Sequence, residues 1–335
     1  MSAPYDPKLL SDAIDKFTSC RMLVVGDVIM DEYLWGRVER ISPEAPVPIV
    51  EVEKDDRRLG GAGNVVSNII ALGGQAFLFG IIGDDPTGAE VVSKLGQLNS
   101  GAEGIVIENW RPTTIKTRVV AHRQQVVRVD REKREPVNKA SIEKILATLK
   151  KHLDHSDAIV VVDYGKGLVT QNLMDGIRSL TRDSGTILLV DPKVKNLALY
   201  KDVTAITPNL NEAQLMSGIS IHDGQSLRQA GTFLLNELGC EMVLITQGDK
   251  GMTLFESNER ITEIPTEPRK VFDVSGAGDT VIATFTLALA AGLKPGQAAA
   301  LANLAAGIVV GEVGTAIVPA AKLKEVLADS KLLHL

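Results

Sequence analysis

The sequence predicts an α/β fold: a doubly wound, mostly parallel sheet with helices on both faces, plus a small antiparallel β-lid. Short apolar, β-branched runs recur along the chain and alternate with helical patterns. Continuous apolar strands separated by helices are typical of a parallel sheet that is covered on both faces. The predicted strands are residues 22–25, 76–82, 158–162, 187–190, 203–206 and 242–246. The helical patterns between them are residues 65–72, 88–98, 141–153, 171–180 and 226–238.

Two segments, at about 33–56 and 105–130, interrupt this alternation. The first is rich in proline, and the second contains alternating runs at residues 115–121 and 125–130. Such alternation is typical of strands with one solvated face. We therefore expect one β-lid made from two insertions in a single domain, residues 1–335. The outer face of this lid would be apolar and exposed, so we also expect a homodimer that pairs through it.

Composition and charge argue against several classes of protein. The chain has 36 Lys and Arg against 42 Asp and Glu, a net charge of −6 with no long basic block, so we expect no nucleic-acid partner. The two most apolar runs, 280–293 and 296–311, are shorter than the roughly 20 residues of a membrane span. The N-terminus lacks the apolar core of a signal peptide, and two cysteines are too few for a disulfide framework. We expect a cytoplasmic protein.

A glycine-rich junction, Ser275-Gly276-Ala277-Gly278-Asp279, precedes a long small-apolar helical pattern. Small residues let the backbone approach a ligand, and the free N–H groups of a first helical turn favour anions. A carboxylate would repel a bound phosphate, so Asp279 needs a separate role. We predict that it accepts a proton from an attacking hydroxyl, while the amides of residues 276–278 stabilise the transferring phosphoryl group. Helix capping by Ser275 or Asp279 is the alternative interpretation.

A second glycine cluster, GGAGN at residues 60–64, opens another helical pattern. Close backbone approach plus an amide suits sugar hydroxyls, and Asn68 lies one helical turn after Asn64 on the same face. The spacing is not G-x-G-x-x-G and no buried strand precedes it, which argues against a dinucleotide site. Predicted sugar contacts are Asp31, Gly60, Gly61, Asn64 and Asn68. A structural turn is the alternative for the glycines.

Polar groups also follow later strands, at the sheet edge where ligands bind in parallel sheets. Asn209 and Glu212 stand three residues apart at a helix start, where their oxygens either contact Mg²⁺ through water or form a capping box. The turn at residues 246–251 follows another strand and resembles one that faces nucleotide phosphate. Asn303 is a candidate for the adenine, with a buried structural role as its alternative. Predicted nucleotide contacts are Asn209, Glu212, Thr246, Gly248, Gly251 and Asn303.

These motifs, in this order, resemble those of the ribokinase-like (PfkB) sugar kinases. The resemblance covers nearly the whole chain and implies an ATP-dependent kinase with a C-terminal nucleotide site. It implies that Asp279 is the catalytic base, that Gly276, Ala277 and Gly278 form the anion hole, and that Mg²⁺ and the phosphates are supported at 209–212. Members of this family often use a monovalent cation beside the anion hole. The positions that match for potassium are Asp273 and Ser275.

The lid resembles that of the heptose 7-phosphate kinases of lipopolysaccharide core synthesis in three segments: ISPEAPVP at residues 41–48, KTRV at 116–119 and QQVVRVD at 124–130. These enzymes phosphorylate O1 of D-glycero-β-D-manno-heptose 7-phosphate. A substrate that already carries a phosphate needs cations near the sugar, and arginine offers phosphate a planar fork. The candidates are Arg118, Arg128, Lys166 and Lys193, with solvated surface charge as the alternative for each.

Many of those kinases are fused to a nucleotidyltransferase that carries a His-x-Gly-His pair. None of the five histidines here stands in that pattern: His122, His152, His155, His222 and His334. The chain also ends soon after the kinase-like region, so we expect a stand-alone kinase. Three alternatives stay open: a kinase for fructose 6-phosphate or tagatose 6-phosphate, a non-catalytic sugar or nucleotide sensor, and a nicotinamide dehydrogenase, which the missing fingerprint disfavours.

Overall fold

The computed structural model describes residues 6–122, 124–182, 184–266, 274–312, 314 and 316–329. The strands are β1 (Arg21–Gly26), β2 (Val28–Ile41), β3 (Pro48–Gly61), β4 (Gln75–Gly83), β5 (Ile105–Glu108), β6 (Thr114–Ala121), β7 (Gln124–Arg131), β8 (Ala158–Val162), β9 (Ile187–Asp191), β10 (Ala205–Ile206), β11 (Met242–Thr246), β12 (Met252–Glu256) and β13 (Ile261–Ile264). The helices are α1 (Pro7–Lys16), α2 (Ala62–Ala71), α3 (Pro86–Gln97), α4 (Lys139–Leu153), α5 (Gln171–Thr181), α6 (Leu210–Ser217), α7 (Gly224–Leu238), α8 (Ala277–Ala290), α9 (Pro295–Val309) and α10 (Ala320–Asp329).

The main sheet has the strand order β13-β12-β11-β10-β9-β8-β1-β4-β5. Its strands are parallel from β11 to β5, and β12 and β13 add an antiparallel edge. Successive strand residues enter opposite cores: Val160 belongs to the core that includes residues of α2, α8 and α9, whereas Val161 belongs to the core that includes residues of α4, α5 and α7. The predicted fold class is therefore confirmed. The antiparallel edge is an addition, because no strand after residue 246 was predicted from the sequence.

The lid is a separate four-stranded sheet with the order β3-β2-β6-β7. The pairs β2–β3 and β6–β7 are antiparallel, as predicted, but β2 and β6 run parallel where the two insertions meet. This direction follows because β2 and β6 leave the main sheet after β1 and β5, which point the same way. One boundary was wrong: residues 105–108, predicted for the lid, pair with β4 in the main sheet. Within the described residues, no helix has both the length and the hydropathy of a bilayer span.

Candidate active site

Asp279 lies in the first turn of α8, and only 3 % of its surface is exposed. The residue before this helix, Gly276, has a φ of +81°, in the left-handed region that only glycine adopts without strain. The first N–H groups of a helix have no intrahelical partners, so they can bind an anion. The turn thus sets a buried carboxylate beside backbone amides, as the sequence predicted for this junction.

Two side chains hold the Asp279 carboxylate. Asn64 donates from Nδ2 to Oδ2 at 2.7 Å, and Tyr164 donates from its hydroxyl to Oδ1 at 2.9 Å. Burial raises the pKa of Asp279 to about 6, while the hydrogen bonds from Asn64 and Tyr164 act in the opposite direction. A fixed carboxylate whose pKa lies just below neutral pH is suited to accept a proton from a bound alcohol.

Asn68 joins α2 to α8 behind this carboxylate. It is fully buried, donates to the Asn64 carbonyl at 2.9 Å and accepts from the hydroxyl of Thr280 at 2.9 Å. Asn68 was predicted to contact the sugar, since it shares a helix face with Asn64. The structure instead makes it a residue that positions Asn64 relative to Asp279, because its amide is already used inside the protein.

Tyr164 was not predicted as a site residue. Its position depends on Asp27, which directly follows β1. The Asp27 carboxylate accepts hydrogen bonds from the backbone N–H groups of Tyr164 and Lys166, both at 2.9 Å. Burial and then the nearby Asp163 raise the pKa of Asp27 to about 6, and the N–H groups oppose this shift. Asp27 therefore fastens the loop after β8 so that the Tyr164 hydroxyl reaches Asp279.

The second glycine cluster supports Asp31 on the lid. Gly61 has a φ of +54° and ends β3 where α2 begins. A Cβ atom at Gly60 would lie 2.2 Å from an Asp31 carboxylate oxygen. Gly60 therefore makes room for Asp31, and Gly61 makes the turn. Their contact with sugar, like that of Asp31 and Asn64, stays a prediction.

The four cations predicted for the substrate phosphate all face carboxylates. The ion pairs are Arg118–Asp31 at 2.5 Å, Lys166–Glu132 at 2.5 Å, Arg128–Asp130 at 2.8 Å and Lys193–Glu212 at 3.7 Å. The first two pairs are largely buried, whereas Arg128 and Lys193 are about half exposed. Buried pairs are costly to break, because one partner is then left uncompensated.

Asn209 and Glu212, which were predicted to contact the nucleotide, form the capping box that was the alternative interpretation. The Asn209 side chain accepts from the Glu212 N–H at 2.9 Å, and the Glu212 carboxylate accepts from the Asn209 N–H at 3.1 Å. Their second role, support of Mg²⁺, stays a prediction.

Three of the other predicted nucleotide contacts, Thr246, Gly248 and Gly251, lie at the end of β11 or just after it. Thr246 forms a parallel bridge with Asn209, which brings the turn at 246–251 beside the capping box. Gly248 and Gly251 both have positive φ, and a Cβ at Gly251 would lie 2.1 Å from the Ile264 carbonyl oxygen. Asn303 is buried and donates to the Pro265 carbonyl at 2.9 Å. Asn303 thus has the buried structural role that was its alternative interpretation, and its contact with adenine stays a prediction.

Asp191, at the end of β9, indicates where a cation would be favourable. Burial raises the pKa of Asp191 well above its usual range, and the nearby Asp279 and Glu212 raise it further. A divalent cation would relieve this repulsion, and carboxylates together with water suit Mg²⁺. Over the described ranges, no three His, Cys, Asp or Glu side chains form a direct metal cluster. For the predicted potassium site, Asp273 lies outside the described residues, while Ser275 directly precedes Gly276.

The chain is similar to known proteins over most of its length. A family model described as "pfkB family carbohydrate kinase" matches residues 21–322. The bifunctional protein HldE of Desulfatibacillum aliphaticivorans is 46 % identical over 321 residues, which are 96 % of this chain and 66 % of that protein. The bifunctional protein HldE of Citrifermentans bemidjiense is 47 % identical over 304 residues, 91 % of this chain and 62 % of that protein. The chain thus spans less than two thirds of these relatives.

Solved structures share the fold at low sequence identity. The structure of Arabidopsis thaliana ribokinase complexed with ribose and ATP has a TM-score of 0.74 at 18 % identity and covers 98 % of this chain and 100 % of that one. Phosphofructokinase-2 from Escherichia coli, in complex with substrates and products, has a TM-score of 0.74 at 18 % identity over 92 % of this chain and 99 % of that one.

Proposed function

The chain belongs to the pfkB family of carbohydrate kinases, and from this premise we propose that it phosphorylates O1 of D-glycero-β-D-manno-heptose 7-phosphate with ATP. The product would be the 1,7-bisphosphate, an intermediate of ADP-heptose and lipopolysaccharide core synthesis. The buried carboxylate of Asp279 at the start of α8, oriented by Asn64 and Tyr164, carries the proposed chemistry. The lid segments that resemble heptose 7-phosphate kinases, together with the HldE relatives, carry the choice of sugar.

In the proposed reaction, Asp279 accepts the O1 proton as O1 attacks the γ-phosphorus of ATP. The new O1–P bond forms while the bond from the γ-phosphorus to the β,γ-bridging oxygen breaks, and ADP leaves. The backbone amides at Gly276, Ala277 and Gly278 stabilise the charge on the transferring group. Positioning supplies most of the acceleration, because phosphoryl transfer needs little covalent help from the protein.

Mg²⁺ and the nucleotide would occupy the edge formed by β9, β11 and the start of α6. Asp191 and Glu212, with Asn209 beside them, are the oxygen groups that would hold Mg²⁺ through water. The ion would neutralise charge on the ATP phosphates. The turn at residues 246–251 would contact the nucleotide, and Asp273 and Ser275 would bind potassium.

We also propose that this kinase domain acts in the cytoplasm and pairs with a second copy through its lid. Large apolar side chains on the lid are exposed: Ile41, Val47, Val52, Val127 and Val129. A second copy would remove this surface from water. Sedimentation equilibrium tests the pairing, and a monomer at micromolar concentration contradicts it.

A panel of acceptors tests the substrate. The purified chain is incubated with ATP and Mg²⁺ and with heptose 7-phosphate, fructose 6-phosphate or tagatose 6-phosphate, and mass spectrometry identifies the products. We expect the heptose 1,7-bisphosphate to form fastest. Faster turnover of another sugar phosphate would reassign the substrate, and tight binding without turnover would indicate a sensor.

The pH dependence of the reaction should report Asp279. The proposed base must be ionised, and burial raises its pKa to about 6. We therefore expect kcat/KM for the sugar to be constant above neutral pH and to fall about tenfold for each pH unit well below 6. A profile measured from pH 5 to pH 9 checks this, and a kcat/KM that stays constant down to pH 5 would contradict the raised pKa.

Replacing Tyr164 with phenylalanine should move this acid limb. The Tyr164 hydroxyl lowers the pKa of Asp279 by its hydrogen bond, so Tyr164→Phe should shift the limb to higher pH. We expect kcat/KM at neutral pH to fall roughly tenfold, the size of one lost hydrogen bond to a charged group. Tyr200→Phe provides a control, since the Tyr200 hydroxyl bonds to Asp163 instead. If the acid limb of the pH profile lay at the same pH in wild type and in Tyr164→Phe, Tyr164 would have no role in the site.

A further inference from the structure

The lid has an inner face that lies over Asp279. Alternate residues of a strand share a face, and the strand register places two rows of side chains side by side. The first row, from β3 to β7, is Arg58, Asp31, Lys116 and Asp130. The second row is Asp56, Tyr33, Arg118 and Arg128. Lys116 lies over the ring of Tyr164, whose hydroxyl donates to Asp279, so this face borders the reaction site.

The arginines of the inner face are all paired with carboxylates of the same two rows. The pairs are Arg58–Asp56 at 2.7 Å, Arg118–Asp31 at 2.5 Å and Arg128–Asp130 at 2.8 Å. Lys116 stands between Asp31 and Asp130 in the register, yet both of these carboxylates bind arginines. Across the described ranges, the Lys116 ammonium makes no hydrogen bond and no ion pair, and it lies 4.8 Å from the centroid of the Tyr164 ring.

This ammonium is partly withdrawn from water and surrounded by other cations. Burial lowers the pKa of Lys116, and Lys166, Arg118 and Arg128 lower it further, against the opposing effect of Asp31. A desolvated charge without a partner is unfavourable, so an arriving anion gains more there than at a paired arginine. A sugar with its reactive hydroxyl at Asp279 would extend past Tyr164 toward Lys116.

We propose that Lys116 binds the phosphate group that the acceptor sugar already carries. This inference rests on the proposed function, because it assigns the ligand for the acceptor's phosphate. Lys116 would thus take the role predicted for Arg118, Arg128, Lys166 and Lys193; in the sequence it is only one residue of the lid segment KTRV. The paired arginines order the inner face and add positive potential around Lys116.

Steady-state kinetics with two acceptors test the proposal. Lys116→Met is compared with wild type on heptose 7-phosphate and on the same heptose without phosphate, with Lys144→Met as an exposed helix-surface control. We expect Lys116→Met to raise KM for the sugar phosphate by about 10- to 100-fold, the effect of losing a charged contact. Lys116 also lowers the pKa of Asp279, so the rates are measured at pH 8, where Asp279 is ionised in both proteins. At that pH we expect kcat to change by less than about threefold and kcat/KM for the unphosphorylated sugar to stay constant. Lys116→Arg should restore part of the affinity.

Other outcomes would overturn the proposal. Equal losses on both sugars would mean that Lys116 acts on Asp279, a higher KM for ATP alone would assign it to the nucleotide, and an unchanged KM would remove it from the site. Titration calorimetry with mannose 6-phosphate, without ATP, separates this inference from the proposed function. Weaker binding by Lys116→Met supports it even if no sugar is phosphorylated, and equal binding or none by either protein contradicts it.

Discussion

Replacing Asp279 with asparagine is expected to lower kcat by roughly 10²–10⁴ with little change in the affinity for ATP. Asparagine has nearly the same shape and can keep a contact to Asn64 or Tyr164, but it cannot accept the O1 proton. The loss should therefore appear in the chemical step. Single-turnover kinetics with the sugar phosphate measure that step, and a fluorescent ATP analogue measures nucleotide binding.

The stability of this variant separates a chemical loss from a folding defect. The pKa of Asp279 is raised in the folded state, so its protonated form favours folding, and this contribution is lost as pH rises through about 6. At pH 7.5 the ionised carboxylate therefore lowers the stability of the folded state. Asp279→Asn should melt at or above the wild-type temperature. Near-normal turnover in a stable Asp279→Asn protein would remove Asp279 from the role of base.

The chemistry of Asp279 could be proposed from sequence because it is local. Glycines, a carboxylate and a following apolar helix occupy one short segment, and helix geometry alone places the amides beside the side chain. Tyr164 gives no comparable signal, since a tyrosine in a βα loop is common. Its role arises only when Asp27, at the end of another strand, fixes the loop by accepting its N–H groups.

The positively charged residues of the lid show more clearly that a role can depend on contacts between distant segments. The sequence presents Arg118, Arg128 and Lys116 as similar residues of one lid, and arginine is the better phosphate ligand in general. Which of them is neutralised depends on strand register, because Asp31 reaches Arg118 from β2 and Asp130 reaches Arg128 along β7. Residue chemistry alone therefore favoured the arginines, and it could not show which cations are already paired with carboxylates.

The same reasoning explains the outcome for Asn68 and for the lid boundary. Helical spacing correctly put Asn64 and Asn68 on one face of α2, but it could not show that α8 covers the second of them. The run at 105–108 is apolar and short, so its sequence does not distinguish a lid strand from the edge of the main sheet. Both questions depend on contacts between distant segments.

Two glycine substitutions at the start of α8 should separate the backbone turn from the space beside it. Gly276 has a φ of +81°, so Gly276→Ala forces a side chain into the left-handed region at roughly 1–2 kcal/mol and displaces the amides that follow. Misplaced amides lose transition-state contacts, and one such donor contributes about 10²–10³ in kcat. We expect Gly276→Ala to lose both thermal stability and kcat.

Gly278→Ala is the matched variant, because a Cβ there meets no protein atom within 4 Å and the residue is already helical. Alanine in a compatible helical position stabilises by about 0.4–1 kcal/mol. Its methyl group would occupy space next to the ATP phosphates, and one additional carbon in a fitted site costs about tenfold or more. Gly278→Ala should thus melt no lower than wild type and still show a reduced kcat/KM for ATP. If Gly276→Ala kept full kcat, or if Gly278→Ala bound ATP normally, the phosphoryl group would not be held at this turn.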